Sequence, residues 1–137
     1  MNADLEMKRK IKIGSRIDNL RIVENAIDEL TALIGINQDN YGKIMVCTME
    51  AVNNAVVHGN KSIEAKQVEI DIKYVKDLLE ISVIDEGPGF KVNSVPDPTN
   101  TDNIEKVSGR GVFLMTRLAD KIEFNERGNQ VIMSFKI

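Results

Sequence analysis

Apolar residues recur with two different periods along this chain, and the change between them constrains the fold more than any other feature. From residue 20 to residue 34, apolar side chains follow the spacing of one helix face. From residue 68 to residue 74, apolar and polar side chains alternate, as they do in a strand that is buried on one face. The alternation returns at 79–83, 122–124 and 131–135, so a helical stretch precedes a set of strands.

Capping and turn residues set the expected ends of these elements. A short first strand is expected at Lys10–Gly14, and Ser15 begins a Ser-x-x-Asp sequence that is typical of a helix N-terminus. Gly35 should end that helix, and a second helix should run from near Asp39 to about His58. Hairpin turns are predicted at 76–77 and 126–129, and a short helix is predicted at 111–119.

This order of elements predicts an α+β fold. We expect a two-layer α/β sandwich, with a mostly antiparallel mixed sheet and the helices packed on one face. The 137 residues contain no repeat, no low-complexity tract and no linker that would divide them. A single domain over residues 1–137 is therefore expected.

Composition and charge disfavour several classes of protein. The net charge of −3 argues against a general binder of nucleic-acid phosphates, which needs a basic surface. No apolar run approaches the ~20 residues of a membrane span, and the N-terminus lacks the apolar core of a signal peptide. Cys47, the single cysteine, fits a small buried residue in a reducing compartment. We therefore expect a cytoplasmic protein with no direct nucleic-acid or membrane partner.

The segment from Glu86 to Ser108 lacks apolar periodicity. It contains all three prolines of the chain and a polar run at 97–103. A structureless segment of this length is unusual inside a compact domain, and is commonly a lid or a disordered insertion. A tolerated surface loop is an equal alternative at this point. We expect a lid over about 86–108.

The second predicted helix carries polar residues that helix formation does not require. Glu50, Asn54 and His58 form a stripe at four-residue spacing. Nearly opposite lies a predicted apolar face, made of Met45, Met49, Val52 and Val56. Asparagine within a helix costs ~0.5–0.7 kcal/mol relative to alanine, so local propensity does not explain the stripe. A carboxylate one turn from an amide can hold a divalent cation or position an attacking hydroxyl, whereas a solvated polar face is the alternative.

A carboxylate at the end of a predicted strand forms a second candidate site. Asp85 follows the strand, and Gly87 and Gly89 flank Pro88. Glycines allow the backbone to approach a ligand closely, and the carboxylate can accept a hydrogen bond from an amino group such as that of adenine. Taken alone, the stretch is also explained as a Pro-Gly turn.

The third candidate site lies where the long segment becomes the short helix. Gly109 and Gly111 leave backbone N–H groups free to face an anion, and Arg110 adds a positive charge. The sequence matches neither a phosphate loop nor a dinucleotide fingerprint. By itself, a helix start flanked by glycines does not define a phosphate site.

In their order along the chain, these motifs resemble those of the GHKL ATPase superfamily. The sequence EAVNNAVVHGN at 50–60 resembles its N-box, DEGPGF at 85–90 its first glycine box, and GRG at 109–111 its second. The chain length and the pattern Glu-Ala-Val-x-Asn-Ala-x-x-His-Gly are most similar to the anti-sigma-factor serine kinases. The resemblance covers about Ser15 to Ile137 and implies the Bergerat ATP-binding fold.

The resemblance implies MgATP as the ligand and assigns a role to each motif position. Glu50 is similar to the catalytic base, Asn54 to the Mg²⁺ ligand, and Asp85 to the residue that accepts a hydrogen bond from the adenine amino group. His58 matches a family position without needing a chemical role.

The glycines and two further residues complete the implied ATP site. The glycines that would shape the base pocket and anchor the lid are Gly87, Gly89, Gly109 and Gly111. Arg110 occupies a variable position, and its contact with phosphate is inferred from its charge. The family often has Gly-Thr before the last strand, where this chain has Gly128-Asn129, so Asn129 is expected to hydrogen-bond towards the base.

The function implied by the resemblance is that of a homodimeric serine/threonine protein kinase. Such a kinase binds an RNA polymerase sigma factor and phosphorylates a serine on a STAS-domain anti-anti-sigma factor. Two alternatives use the same pocket: a nucleotide-dependent binding switch that transfers nothing, and the detached ATP-binding module of a histidine kinase. Histidine self-phosphorylation is disfavoured, because His58 is the only histidine and lies inside the N-box-like helix.

Overall fold

The computed structural model describes residues 6–88 and 109–137 of the chain. Its strands are β1 (Met7–Gly14), β2 (Gln67–Val75), β3 (Leu78–Ile84), β4 (Lys121–Phe124) and β5 (Gln130–Lys136). Its helices are α1 (Leu20–Ile34), α2 (Gln38–Asn54) and α3 (Gly109–Leu118), with a 3₁₀ turn at Ile17–Asn19 and a π-helical turn at Ala55–Gly59. The helices among the described residues include no candidate for a membrane span. Most of the predicted lid, including Gly89, lies outside the described residues.

The strands form one sheet with the order β1-β2-β3-β5-β4. Every neighbouring pair is antiparallel, so within the described residues the sheet is antiparallel throughout and not mixed as predicted. Ile70 lies opposite both Ile11 and Val83, and Val83 lies opposite Val131. This register places the alternating apolar residues of successive strands on one face of the sheet.

The helices cover that apolar face. Helix α2 contacts α1 and α3 on its flanks, and β3 and β5 beneath it. Val23 and Ile27 of α1 are buried against the core, as are Tyr74 and Phe135 from the sheet. The α+β sandwich predicted from the two apolar periods is therefore confirmed.

Several predicted ends are also correct. Gly35 ends α1 in the left-handed conformation with φ of 80°, which glycine adopts without a steric penalty. Lys76 and Asp77 both have positive φ, as a tight two-residue hairpin turn requires. Helix α2 begins one residue before the expected Asp39, because the side chain of Asn37 accepts a hydrogen bond from the amide of Asn40 at 2.8 Å.

The capping role predicted for Ser15 is wrong. Its side chain is buried, and its hydroxyl donates a hydrogen bond to the carbonyl of Lys66 at 2.6 Å. A 3₁₀ turn separates Ser15 from α1, which begins only at Leu20. The Ser15 hydroxyl, which the local sequence predicted to cap a helix, thus makes a tertiary contact with the residue that precedes β2.

Candidate functional site

Helix α2 continues into a single π-helical turn, Ala55–Gly59. The amide of Asn60 donates to the carbonyl of Ala55 at 2.8 Å, which spans five residues instead of four. Such turns are rare and occur frequently at functional sites. Here the turn carries His58 and Gly59 to the wall of a pocket.

Asn54 and His58 of the polar stripe line the pocket, whereas Glu50 does not. Val52 and Val56 are fully buried as predicted, whereas Met45 and Met49 are only partly buried. Ala51, which flanks the stripe, is buried as well, because α2 packs against α3 and the sheet. The stripe therefore opens into a pocket at its C-terminal end, and the interpretation as a solvated face does not hold there.

The pocket has a volume of about 140 Å³ and is bordered by α2, the end of β3, α3 and the turn between β4 and β5. Its polar lining residues are Asn54, His58, Lys61, Asp85, Asn129 and Gln130. The apolar lining residues include Ala55, Val83, Val112 and Met115. Three residues singled out in separate motifs, Asn54, Asp85 and Asn129, thus line one cavity. Apolar walls with a few convergent polar groups suit a flat ring with a polar edge.

Asp85 follows β3 and presents a half-buried carboxylate to this pocket. Burial raises the pKa of Asp85, and this effect outweighs the opposing influence of the Gly87 amide and of the charges on Arg127 and Lys66. The Gly87 amide donates to Oδ1 of Asp85 at 2.8 Å. A carboxylate that is partly desolvated and held at one oxygen is suited to accept a hydrogen bond from a ligand amino group.

Two glycines make this position of Asp85 possible. A β-carbon on Gly59 would lie 2.3 Å from Oδ2 of Asp85, and a β-carbon on Gly87 would lie 2.0 Å from the carbonyl oxygen of Gly59. The end of α2 and the segment after β3 therefore meet at a distance that only glycine permits. Gly87 was predicted to shape the base pocket, whereas Gly59 was assigned no role in the site.

Asn54 is the residue on which a metal assignment depends. Its side-chain oxygen Oδ1 is buried and has no hydrogen-bond partner among the described residues. These residues contain no group of three or more His, Cys, Asp or Glu side chains that could hold a metal alone. Mg²⁺ is commonly bound by few protein oxygens together with water and substrate phosphates, so a single unpaired amide oxygen fits such an ion.

A comparison with known protein families decides the superfamily. The family model of the histidine kinase-like ATPase domain matches residues 13–135, which is nearly the whole chain. This chain belongs to the histidine kinase-like ATPase family. The match confirms the resemblance to the GHKL superfamily, and the pocket lies between the family's predicted N-box and its first glycine box.

Relatives of this histidine kinase-like ATPase domain include proteins named serine-protein kinase RsbW and anti-sigma F factor. Serine-protein kinase RsbW of Oceanobacillus iheyensis is 23% identical over 133 residues, covering 93% of this chain and 84% of the relative. Anti-sigma F factor of Clostridium beijerinckii is 27% identical over 126 residues, covering 89% of this chain and 87% of the relative. RsbW of Bacillus subtilis is 26% identical over 132 residues, covering 91% and 82%.

A solved structure has the same fold. The crystal structure of the RsbU and RsbW domains of a Mycobacterium tuberculosis protein superimposes with a TM-score of 0.67 at 19% identity. It covers 95% of this chain, which in turn spans 32% of that longer chain. At this identity the similarity supports the fold alone.

Glu50 lies on α2 one turn before Asn54 and is partly exposed. The two side chains therefore share one face of the helix. Glu50 does not line the pocket itself, although its charge acts on the neighbouring Cys47. Burial, followed by this charge, raises the pKa of the Cys47 thiol to about 11, so the thiol stays protonated near neutral pH.

The second glycine box lies in the first turn of α3, which begins at Gly109, two residues before the predicted start at 111. Val112 and Met115 of this helix line the pocket. Gly111 thus begins the turn that borders the pocket. The side chain of Arg110 lies outside the described part of the structure, as does Gly89.

Asn129 lines the pocket, but its side chain is committed to other protein groups. Its Nδ2 donates to the carbonyl of Asp85 at 3.0 Å, and its Oδ1 accepts from Nδ2 of Asn125 at 2.7 Å. The amide of Asp85 donates in turn to the carbonyl of Asn129 at 2.9 Å. In this structure Asn129 therefore holds the backbone of Asp85, and the hydrogen bond expected towards a base stays a prediction.

Two residues of the site were missed in the sequence. Gly59 permits the close approach of Asp85, and Asn60 is fully buried beneath it. Both follow His58 directly, in the sequence HGN. The available signal was a polar asparagine after a helix-ending glycine, which is equally typical of an exposed helix end.

Proposed function

We propose that this chain is an ATP-dependent serine/threonine protein kinase of the anti-sigma type. In this proposal it binds a sigma factor and phosphorylates a serine of a STAS-domain anti-anti-sigma factor in the cytoplasm. Support comes from relatives named serine-protein kinase and anti-sigma F factor, whose lengths this chain covers by 82% to 87%. Homodimer formation is part of the same proposal, and sedimentation velocity would test it.

The observation that carries the proposal is the pairing of Asp85 and Asn54 in one largely apolar pocket. The carboxylate of Asp85 would accept a hydrogen bond from the adenine amino group, while Val83 and Met115 among other apolar residues enclose the ring. The phosphates would extend towards Asn54 and the start of α3, where helix N–H groups favour anions.

Asn54 is the described residue that would hold Mg²⁺, through its unpaired Oδ1. When bound, the ion neutralises charge on the ATP phosphates. The protein contributes position, because Asn54 is fixed on a helix that is packed against the core.

Glu50 would act as the general base. It takes the proton from the substrate serine hydroxyl while the serine oxygen bonds to the γ-phosphorus and the bond from that phosphorus to the ADP oxygen breaks. The products are phosphoserine and ADP. General-base assistance is typically worth ~10²–10⁴-fold, so Glu50→Ala should lose at least about a hundredfold in transfer rate.

The test is transfer of label from γ-labelled ATP to STAS-domain proteins of the same genome. Wild type and Glu24→Ala, which removes an exposed carboxylate on α1, should transfer label equally. Glu50→Ala should bind MgATP with unchanged affinity in calorimetry yet transfer little label. Transfer by Glu50→Ala at the wild-type rate would refute the base. Binding of ATP and partner by wild type without transfer would indicate a nucleotide-dependent binding switch.

A further inference from the structure

Asn60 lies at the centre of a buried polar network behind the pocket. Its side chain has 0% exposure. Nδ2 donates to the hydroxyl of Ser15 at 2.9 Å and to the carbonyl of Gln67 at 3.0 Å, and Oδ1 accepts from the amide of Glu86 at 2.7 Å. One side chain therefore joins the segment after β1, the start of β2 and the segment after β3.

The chemistry of this network requires an amide. Two oxygen acceptors face Nδ2 and one N–H donor faces Oδ1, so the donors and acceptor of Asn60 are matched by its surroundings. Aspartate in this place would direct a carboxylate oxygen at the oxygens of Ser15 and Gln67. A buried polar network that is fully satisfied rigidifies the groups it joins.

The bond to Glu86 matters because the sheet has ended there. The register between β2 and β3 stops at Ile84, opposite Glu69. Beyond it, the Asp85 amide is held by the Asn129 carbonyl and the Gly87 amide by the Asp85 carboxylate. Asn60 holds the amide between them. The amide of Gln67 in β2 donates to the side-chain carboxylate of Glu86, so β2 holds this side chain while Asn60 holds the backbone.

We propose that Asn60 is a positioning residue, which fixes the Glu86 peptide and so directs the Asp85 carboxylate into the pocket. Asn60 thereby gives the site its preference for a base that carries an amino group where adenine does. This inference rests on the proposed role of Asp85 in binding adenine. A fixed acceptor favours the 6-amino group of adenine and opposes the 6-oxo group of hypoxanthine. An acceptor that is free to turn away discriminates less.

The test compares calorimetric affinities for MgATP and for the magnesium complex of inosine triphosphate, which carries a 6-oxo group. Wild type should favour ATP. In Asn60→Ala the ratio of the two affinities should fall roughly tenfold, as expected for loss of one well-placed hydrogen bond to a charged group. Ser15→Ala is the matched control, since it removes another bond of the same network but leaves the bond between Asn60 and Glu86. It should lose stability and keep the wild-type ratio.

The outcomes separate this inference from the proposed function. Wild type that binds neither nucleotide, or Asp85→Ala with an unchanged ratio, would contradict the proposed function itself. Wild type that favours ATP through Asp85, together with an unchanged ratio in Asn60→Ala, would overturn only the role of Asn60. If Asn60→Ala does not fold, Asn60→Ser takes its place, and the wild-type Glu86 amide is followed by NMR hydrogen exchange. That amide should exchange slowly without nucleotide, and rapid exchange would overturn the inference.

Discussion

The carboxylate of Asp85 rests against the α-carbon of Gly59, so closely that a β-carbon on Gly59 would lie 2.3 Å from Oδ2. These residues belong to different motifs, separated along the chain by the whole of β2 and β3. Their contact brings the end of the helix that carries Glu50 and Asn54 to the carboxylate proposed to bind adenine. The geometry of the pocket therefore depends on the absence of a side chain at residue 59.

Gly59→Ala should weaken MgATP binding by about tenfold or more while the chain remains folded. The new methyl group meets the end of a side chain, which can rotate away, so the loss falls on the direction of the Asp85 carboxylate. Calorimetry and circular dichroism measure the two effects. Gly42→Ala is the control, because a β-carbon there meets no atom within 4 Å, and it should be stabilised by ~0.5–1 kcal/mol. Wild-type affinity in Gly59→Ala would show that Asp85 is not needed in its present position.

Gly87→Ala should instead reduce stability. Its β-carbon would lie 2.0 Å from the backbone oxygen of Gly59, which cannot rotate away as a side chain does. Accommodating excess volume typically costs ~1–3 kcal/mol, and urea unfolding would measure it. A free energy of unfolding equal to that of wild type would mean that the segment after β3 moves more easily than its hydrogen bonds suggest.

Asn54→Ala should raise the stability of the chain and abolish the effect of Mg²⁺ on ATP affinity. The substitution removes a buried oxygen that has no partner among the described residues and replaces a poor helix former, so stability should rise by ~0.5–1 kcal/mol. The enhancement of ATP affinity by Mg²⁺ should be lost. Asn53→Ala, on the same helix but outside the pocket lining, offers the same gain in helix propensity and should keep the Mg²⁺ effect. The ATP affinity of both variants is measured with Mg²⁺ and with a chelator. An equal increase in ATP affinity by Mg²⁺ in the two variants would contradict the assignment of Asn54 as the Mg²⁺ ligand.

Asp85→Asn should raise the stability of the nucleotide-free chain near neutral pH. Because burial raises the pKa of Asp85 in the folded state, the folded chain binds the proton more tightly than the unfolded chain. The stabilisation linked to that proton is present below the ordinary aspartate pKa of 3.8 and is lost as pH rises through the higher folded value. The variant should therefore exceed wild type in unfolding free energy near neutral pH, and the difference should shrink below about pH 4. Urea unfolding at both pH values tests this, and a variant that is less stable near neutral pH would contradict it.

The sequence predicts the sheet well because alternation of apolar residues directly encodes which face of a strand is buried. It also predicts that Asn54 and Asp85 belong to one site, since the order of motifs is characteristic of a family. Ser15 and Asn60 could not be assigned, because the hydrogen bond between them joins residues 45 positions apart. The need for glycine at 59 likewise arises from a tertiary contact with Asp85, which the periodicity of apolar residues does not report.

The most direct measurement is calorimetric titration of wild type and Asp85→Ala with MgATP, with both chains shown to be folded by circular dichroism. We predict binding by wild type and at least a tenfold weaker affinity in Asp85→Ala, since the hydrogen bond from the adenine amino group is lost. Equal affinity in the two chains would contradict the assignment of this pocket as the ATP site.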